Sequence, residues 1–279
     1  MPSAGTAPRR LPRCRHCARP RTRAAKGVRT AAGQLAIAIA APHRTGGPSP
    51  AACARRTSPP RLDGPVAYKL VIFDFDGTLA DSAGWLFGVL NQVADRYGFR
   101  RVSDAEIAML RGRDNREIVR YLGVPAWKLP LIAAHMRRLA ARDAAAIPLF
   151  GGTPRVLRAL KERGVAAAVV SSHSEANVRR ILGSECAPLI GCYECGASLF
   201  GKAARFRRVL ERAGARQEEA ICVGDEARDI QAASEAGLAS GAATWGYATR
   251  ELLERQRPTL VFASMDDMLD KLAGGPPPA

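Results

Sequence analysis

Acidic and aromatic residues are almost absent from the first 67 positions of this 279-residue chain, which hold one of the 26 Asp and Glu and none of the 8 Phe, 3 Trp and 5 Tyr. The same stretch carries 13 of the 42 Lys and Arg and 10 of the 19 Pro, so +12 of the net charge of +16 sits in it. Such a composition cannot bury enough apolar surface to offset chain entropy. It predicts a disordered basic extension over residues 1–67. Without aromatics the arm has no platform on which bases stack, and any nucleic-acid or acidic-surface binding through it is electrostatic and salt-dependent. Its Arg-rich, acid-poor character is also that of a targeting peptide, with residues 34–41 as a short apolar core; a start-site artefact remains the third reading. Long apolar runs are missing as well. None approaches the ~20 residues that span a bilayer, which excludes a transmembrane helix of that length. Cysteine is sparse, with 7 in all, and the pairs Cys14/Cys17 and Cys192/Cys195 stand alone without a matched zinc-ligand partner. This excludes a disulfide-stapled mini-protein and points to reduced thiols in the cytoplasm.

Beyond Tyr68 the pattern changes. Short apolar, β-branched runs at 68–73, 165–170, 220–223, 238–244 and 259–262, with a weaker one at 189–193, read as buried strands. Between them lie helices with visible starts: Thr153 as N-cap before Pro154, and Ser174 ahead of Val178, Ile181 and Leu182. Strand and helix in alternation predict an α/β fold with a Rossmann-like parallel sheet covered on both faces. From about 85 to 147 the alternation stops. Only helix signals occur there, with capping boxes at Ser103/Glu106 and Asp114/Glu117, so an all-α cap is inserted after the first strand. The expected division is a core over 68–82 and 148–273, a cap over 83–147 and a flexible tail over 274–279.

The densest chemistry is Asp74-Phe-Asp76-Gly-Thr78-Leu at the end of the first strand. In an open α/β sheet the loops beyond the strand carboxyl ends form the ligand crevice. A turn at Gly77 lets the second carboxylate swing over whatever the first one touches, and two acids so close call for a divalent cation. Other strand ends supply Ser171 and Ser172, then Asp225 after Gly224, with Asp229 four residues on. Lys202 follows Gly201 in a loop and can neutralise a phosphate. The inventory is that of phosphoryl transfer.

Asp74-x-Asp76-Gly-Thr-Leu, Ser171 after an apolar strand, Lys202, and Gly224-Asp225 with Asp229 resemble the four motifs of the haloacid dehalogenase superfamily, in its phosphoglycolate-phosphatase-like branch with a helical cap. The likeness spans about residues 68–272. It implies a Mg²⁺-dependent phosphatase in which Asp74 is the nucleophile that becomes an aspartyl phosphate and Asp76 the general acid and base. Ser171, with Ser172 and Thr78, would hold phosphoryl oxygens and Lys202 would hold Asp74 and phosphate. Metal ligands would be Asp74, Asp225 and the carbonyl of Asp76, with Asp229 binding metal or orienting Lys202. Asp76 argues against dehalogenation, because a halide needs no protonation; a phosphomutase with the same core is the enzymatic alternative. The chain departs from the family pattern at Lys202, which lacks the usual following proline, and at Glu226, which adds negative charge beside the metal.

In the cap, Arg111, Arg113 and Arg116 either grip a carboxylate or second phosphate on the leaving group or form a solvated helix start. Arg137 and Arg138 read as surface residues, His135 as a residue on a cap-helix face and His173 as a loop residue beside the phosphate. The expected partner is a small phosphorylated substrate, with the chain a monomer or homodimer and neither membrane nor nucleic acid engaged.

Overall fold

Six strands and their intervening helices follow one another along the chain in a computed structural model that describes residues 68–196 and 201–273. The strands are β1 (Leu70–Phe73), β2 (Ala166–Val170), β3 (Cys192–Glu194), β4 (Ala220–Gly224), β5 (Ala239–Ala243) and β6 (Leu260–Phe262). All pair in parallel in the order β3-β2-β1-β4-β5-β6, the doubly wound α/β arrangement expected from the alternation. The basic arm with Cys14 and Cys17, and the tail at 274–279, lie outside the described residues.

β1 shows why the sheet is parallel and covered. Every one of its side chains is buried, and the two-residue period sends them to different layers. Val71 and Phe73 pack with Val156, Leu157 and Leu160 of α5 (Thr153–Glu162), while Leu70 and Ile72 pack with Phe206 and Val209 of α7 (Lys202–Ala213) on the other face. A continuous apolar run is what a strand sandwiched between helices needs. The third strand begins later than the sequence predicts, because Ala187–Leu189 forms a 3₁₀ turn. Thr153 is the first helical residue of α5 rather than its cap; Gly152 takes that place, and the buried Thr153 hydroxyl donates to the Leu79 carbonyl at 3.1 Å. Ser174 does cap α6 (Glu175–Cys186), accepting from the Asn177 N–H.

Between β1 and α5 every regular element is helical: α1 (Ala83–Tyr97), α2 (Asp104–Leu110), α3 (Asn115–Leu122) and α4 (Leu129–Arg142), with 3₁₀ turns at Ala126–Lys128 and Ala144–Ala146. Their apolar faces meet in a core of their own that includes Leu86, Val93, Ile107, Ile118, Ile132 and Leu139. Both capping boxes form, at Ser103/Glu106 and Asp114/Glu117. The chain enters and leaves this unit through adjacent linkers, where the Asp81 N–H donates to Pro148 O at 2.8 Å and the Phe150 N–H to Leu79 O at 2.9 Å.

Glu106 is the polar hub of the helical unit. The Tyr121 hydroxyl, the backbone and side chain of Ser103 and the Arg100 guanidinium all donate to its carboxylate, which holds it down at about 2. A carboxyl lowered in the folded state contributes stability that is fully present above its ordinary pKa and lost as pH falls through the folded one. Amide exchange on α2 and α3 is therefore expected to accelerate as pH drops from about 4.5 toward 2, beyond the intrinsic trend, and Glu106→Gln to flatten that response. An unchanged acid profile in the variant would place the linkage elsewhere.

Candidate active site

Strand order reverses between β1 and β4, so their carboxyl ends flank the crevice where a doubly wound sheet binds its ligand. The Asp74 N–H donates to Val223 O at 2.8 Å, extending the pairing and bringing Asp74 beside Asp225 at the end of β4. Gly77 makes the turn between them with φ +76°; a Cβ there would stand 2.2 Å from Asp225 Oδ2. Gly246 approaches equally closely, its Cβ position 2.3 Å from Asp225 Cβ. Only glycine lets both loops close on Asp225.

Asp74, Asp76, Asp225 and Asp229 are all buried, as are Ser171, Lys202, His173 and Glu226. Lys202 Nζ lies 2.9 Å from Asp74 Oδ1 and 2.5 Å from Asp229 Oδ1. It is the first residue of α7, not a loop residue, and the helix start fixes its direction. Burial would depress the Lys202 ammonium, but the two carboxylates outweigh it and raise its pKa above the lysine range. Burial also raises the Asp74 carboxyl, against the pull of Lys202 and Arg228. Asp229 sits in the first turn of α8 (Ala227–Ala236), where its Oδ2 accepts the Glu226 N–H at 3.1 Å. Ser171 ends β2; its Oγ accepts the His173 N–H at 3.1 Å, which leaves its own O–H to donate. Ser172 is half-buried beside it.

Asp225 is held by neutral groups: the Thr78 hydroxyl donates to its Oδ1 at 2.7 Å and the Tyr247 N–H to its Oδ2 at 2.8 Å. Burial and then the neighbouring Glu226, Asp74 and Asp229 drive its carboxyl well above the usual range. Oxygens of Asp74, Asp225 and Asp229 lie within 4.8 Å of one another, and Asp74 Oδ2 is buried without a hydrogen-bond partner. Three hard oxygen donors in negative surplus, one of them without a hydrogen bond, fit a divalent cation of the Mg²⁺ kind. The carboxylate of Asp76 does not join this set. Its oxygens lie 3.0 and 3.2 Å from His173 Nε2, whose charge lowers the Asp76 pKa despite burial.

Several expected contacts fall elsewhere. Thr78 is fully buried with its hydroxyl on Asp225, so it positions an acid instead of facing substrate. Arg111 turns its guanidinium onto backbone carbonyls, donating to Tyr247 O at 3.1 Å and Gly246 O at 3.3 Å. Arg113 pairs with Glu117 at 3.1 Å on the exposed side of α3, and Arg116 is exposed in its first turn. These three are not gathered with the acids.

Two groups do more than the sequence indicated. His173, expected as a loop residue beside the phosphate, is also a buried partner of Asp76. Arg228 donates through Nε to Glu226 Oε2 and brings Nη2 to 3.7 Å from Asp74 Oδ2. The surplus acid Glu226 was the available signal, since a buried carboxylate calls for a nearby cation. Burial still lifts the Glu226 carboxyl to about 7 against that pairing.

The chain is similar to known proteins. A family model described as haloacid dehalogenase-like hydrolase matches residues 71–243. Phosphoglycolate phosphatase of Synechococcus elongatus is 30% identical over 200 residues, covering 71% of this chain and 94% of that protein. Tyrosine-protein kinase PtkA of Mycobacterium tuberculosis is 31% identical over 211 residues, covering 73% and 72% respectively. Among solved structures, a hydrolase from Pseudomonas syringae superposes with a TM-score of 0.60 at 18% identity, covering 74% of this chain and 98% of that one, a likeness of fold.

The Glu226–Arg228 pair can be tested for stability. Removing one partner of a buried pair leaves an uncompensated charge, so Arg228→Met is expected to cost on the order of 3 kcal/mol in guanidinium chloride denaturation. Glu226→Gln combined with Arg228→Met should recover most of that loss. A double variant as unstable as the single one would show that Arg228 answers chiefly to Asp74.

Proposed function

The chain belongs to the haloacid dehalogenase-like hydrolase family and is a phosphatase of it, and from that premise we propose that it hydrolyses a small phosphomonoester, phosphoglycolate-like or a sugar phosphate, through a phosphoryl group carried on Asp74. The observation that supports this best is Asp74 itself: a buried carboxylate with one oxygen on Lys202 and the other without a hydrogen bond, set among cations and acids. Lys202 and Arg228 favour its ionised form, which a nucleophile requires.

In the first step an Asp74 oxygen bonds to phosphorus and the ester P–O bond breaks, while Asp76 gives a proton to the departing alkoxide. In the second, water attacks phosphorus, Asp76 takes the water's proton, and the Asp74–phosphorus bond breaks to release phosphate. The His173 and Asp76 side chains lie close enough to share that proton between Nε2 and a carboxylate oxygen. Burial would lower the His173 pKa, but Asp76 and then Asp74 raise it. Ser171 donates its O–H to a phosphoryl oxygen, and Lys202 spans nucleophile and phosphate. Asp74, Asp225 and Asp229, with the Asp76 carbonyl, would hold Mg²⁺, which when bound supplies charge stabilisation for the transferring group. The reduced Cys186, Cys192, Cys195 and Cys222 suit a cytoplasmic setting.

Phosphate release from a panel of small phosphomonoesters, with and without Mg²⁺, tests the reading. Metal-dependent release is expected from wild type, and a loss of at least about a thousandfold in Asp74→Asn. Folded wild type that releases phosphate from no member would instead favour a mutase, assayed as transfer between the positions of a bisphosphate.

A further inference from the structure

With Arg111 and Arg113 committed to other partners, the part of the substrate beyond its phosphoryl group needs another reader. A shallow, open cleft of about 410 Å³ lies on the seam between cap and core, lined by Ala134, Arg137, Arg138 and Ala141 of α4, by Ser174, which caps α6, and by Asn177 of α6. That volume suits a small ligand. Two bonds across the seam fix its walls: Asn177 Nδ2 donates to Arg137 O at 2.9 Å and Arg180 Nη1 to Ala141 O at 2.8 Å.

The arginines of this cleft lack a close acid. Elsewhere in the cap Arg100, Arg101, Arg113 and Arg142 each pair with a carboxylate, whereas the exposed Arg96 and Arg120 do not. Among the described residues neither Arg137 nor Arg138 has an acid partner within 4.0 Å. Two guanidiniums without a counter-ion beside a serine hydroxyl form a place for an anion. It adjoins the acids, because the single stretch from Ser171 to Ser174 runs from the phosphoryl site to the cleft wall, and three residues span at most about 10 Å. Arg137 also stands near enough to His173 to act on its charge.

We infer that this cleft receives a second anionic group of the substrate, a carboxylate or phosphate on the leaving alcohol, and that Arg137 reads it with Arg138 in support. The inference rests on the phosphomonoester reading of the site. It replaces the surface role that sequence gave these two arginines.

The test uses the full chain with Mg²⁺ and three esters of similar size: ethyl phosphate, phosphoglycolate and ethylene glycol bisphosphate. The quantity read is the ratio of kcat/KM for each anionic ester to that for ethyl phosphate. Wild type is expected to favour at least one anionic ester tenfold or more, and Arg137→Gln to cut that ratio at least tenfold, chiefly through KM. Arg137→Lys should retain part of it, and Arg120→Gln, an exposed cap arginine on α3, should leave it within twofold. Whichever anionic ester leads identifies carboxylate or phosphate. No wild-type preference, a ratio unmoved in Arg137→Gln, or an equal fall in Arg120→Gln overturns the inference while hydrolysis stands. Folded wild type that turns over none of the three removes this inference together with the phosphoglycolate-like reading on which it rests.

Discussion

Buried carboxylates repel one another, and one corner of this sheet holds five: Asp74, Asp76, Asp225, Glu226 and Asp229. In a medium that screens poorly, such a cluster persists only where cations or donors are built around it. Lys202 bridges Asp74 and Asp229, Arg228 lies between Glu226 and Asp74, and His173 takes Asp76. Asp225 alone receives only neutral donors, and its carboxyl is accordingly driven well above the usual range. Three cations against five carboxylates leave two negative charges short of a partner, and Asp225, beside Asp74 and Asp229, has no cation of its own. That remaining deficit is the physical case for a divalent ion.

The surrounding backbone follows from keeping Asp225 in place. Gly77 and Gly246 close on it so tightly that neither position has room for a side chain. The segment from Trp245 to Thr249 closes over it: Trp245 Nε1 donates to Thr78 O, the Tyr247 N–H to Asp225 itself, and the Tyr247 hydroxyl meets Ser82 at the foot of the cap. Arg111 hooks the cap onto this same segment, and the Thr249 N–H returns a bond to Arg111 O at 3.2 Å. Cap position and acid position thus share one strap.

Much of this was legible in the sequence because the informative features are local. An apolar run followed by Asp74-x-Asp76-Gly77 declares a strand, a turn and two emerging acids within a few residues, and Ser103/Glu106 declares a helix start by itself. The sheet placed the remaining motif residues where strand ends imply. What stayed hidden depends on contacts between distant segments. Nothing near Thr78 in sequence indicates that its hydroxyl serves Asp225, 147 residues away. Arg111 and Arg137 are both cap arginines, and only the fold tells which has its hydrogen bonds filled by backbone and which opens onto a cleft. Glu226 looked like an unexplained acid until α8 set Arg228 beside it.

The apolar core is divided between the helical unit and the sheet. The cap buries Leu86, Ile118, Ile132 and Leu139 in a cluster separate from the two layers that sandwich β1. The separation is incomplete, because Ala140, Ala144 and Ile147 pack into the layer that covers Val71 and Phe73, and Trp85 touches both clusters. Polar ties across the seam include Arg111 to the Gly246–Tyr247 carbonyls, Asn177 to Arg137 O and Arg180 to Ala141 O. Individual hydrogen bonds of this kind contribute only about 1 kcal/mol each, because water replaces them when they break. The two-step hydrolysis proposed above would need a crevice that excludes water while phosphorus passes to Asp74 and readmits it afterwards. A rigid acid cluster beneath a cap joined by exchangeable polar bonds meets both demands at once.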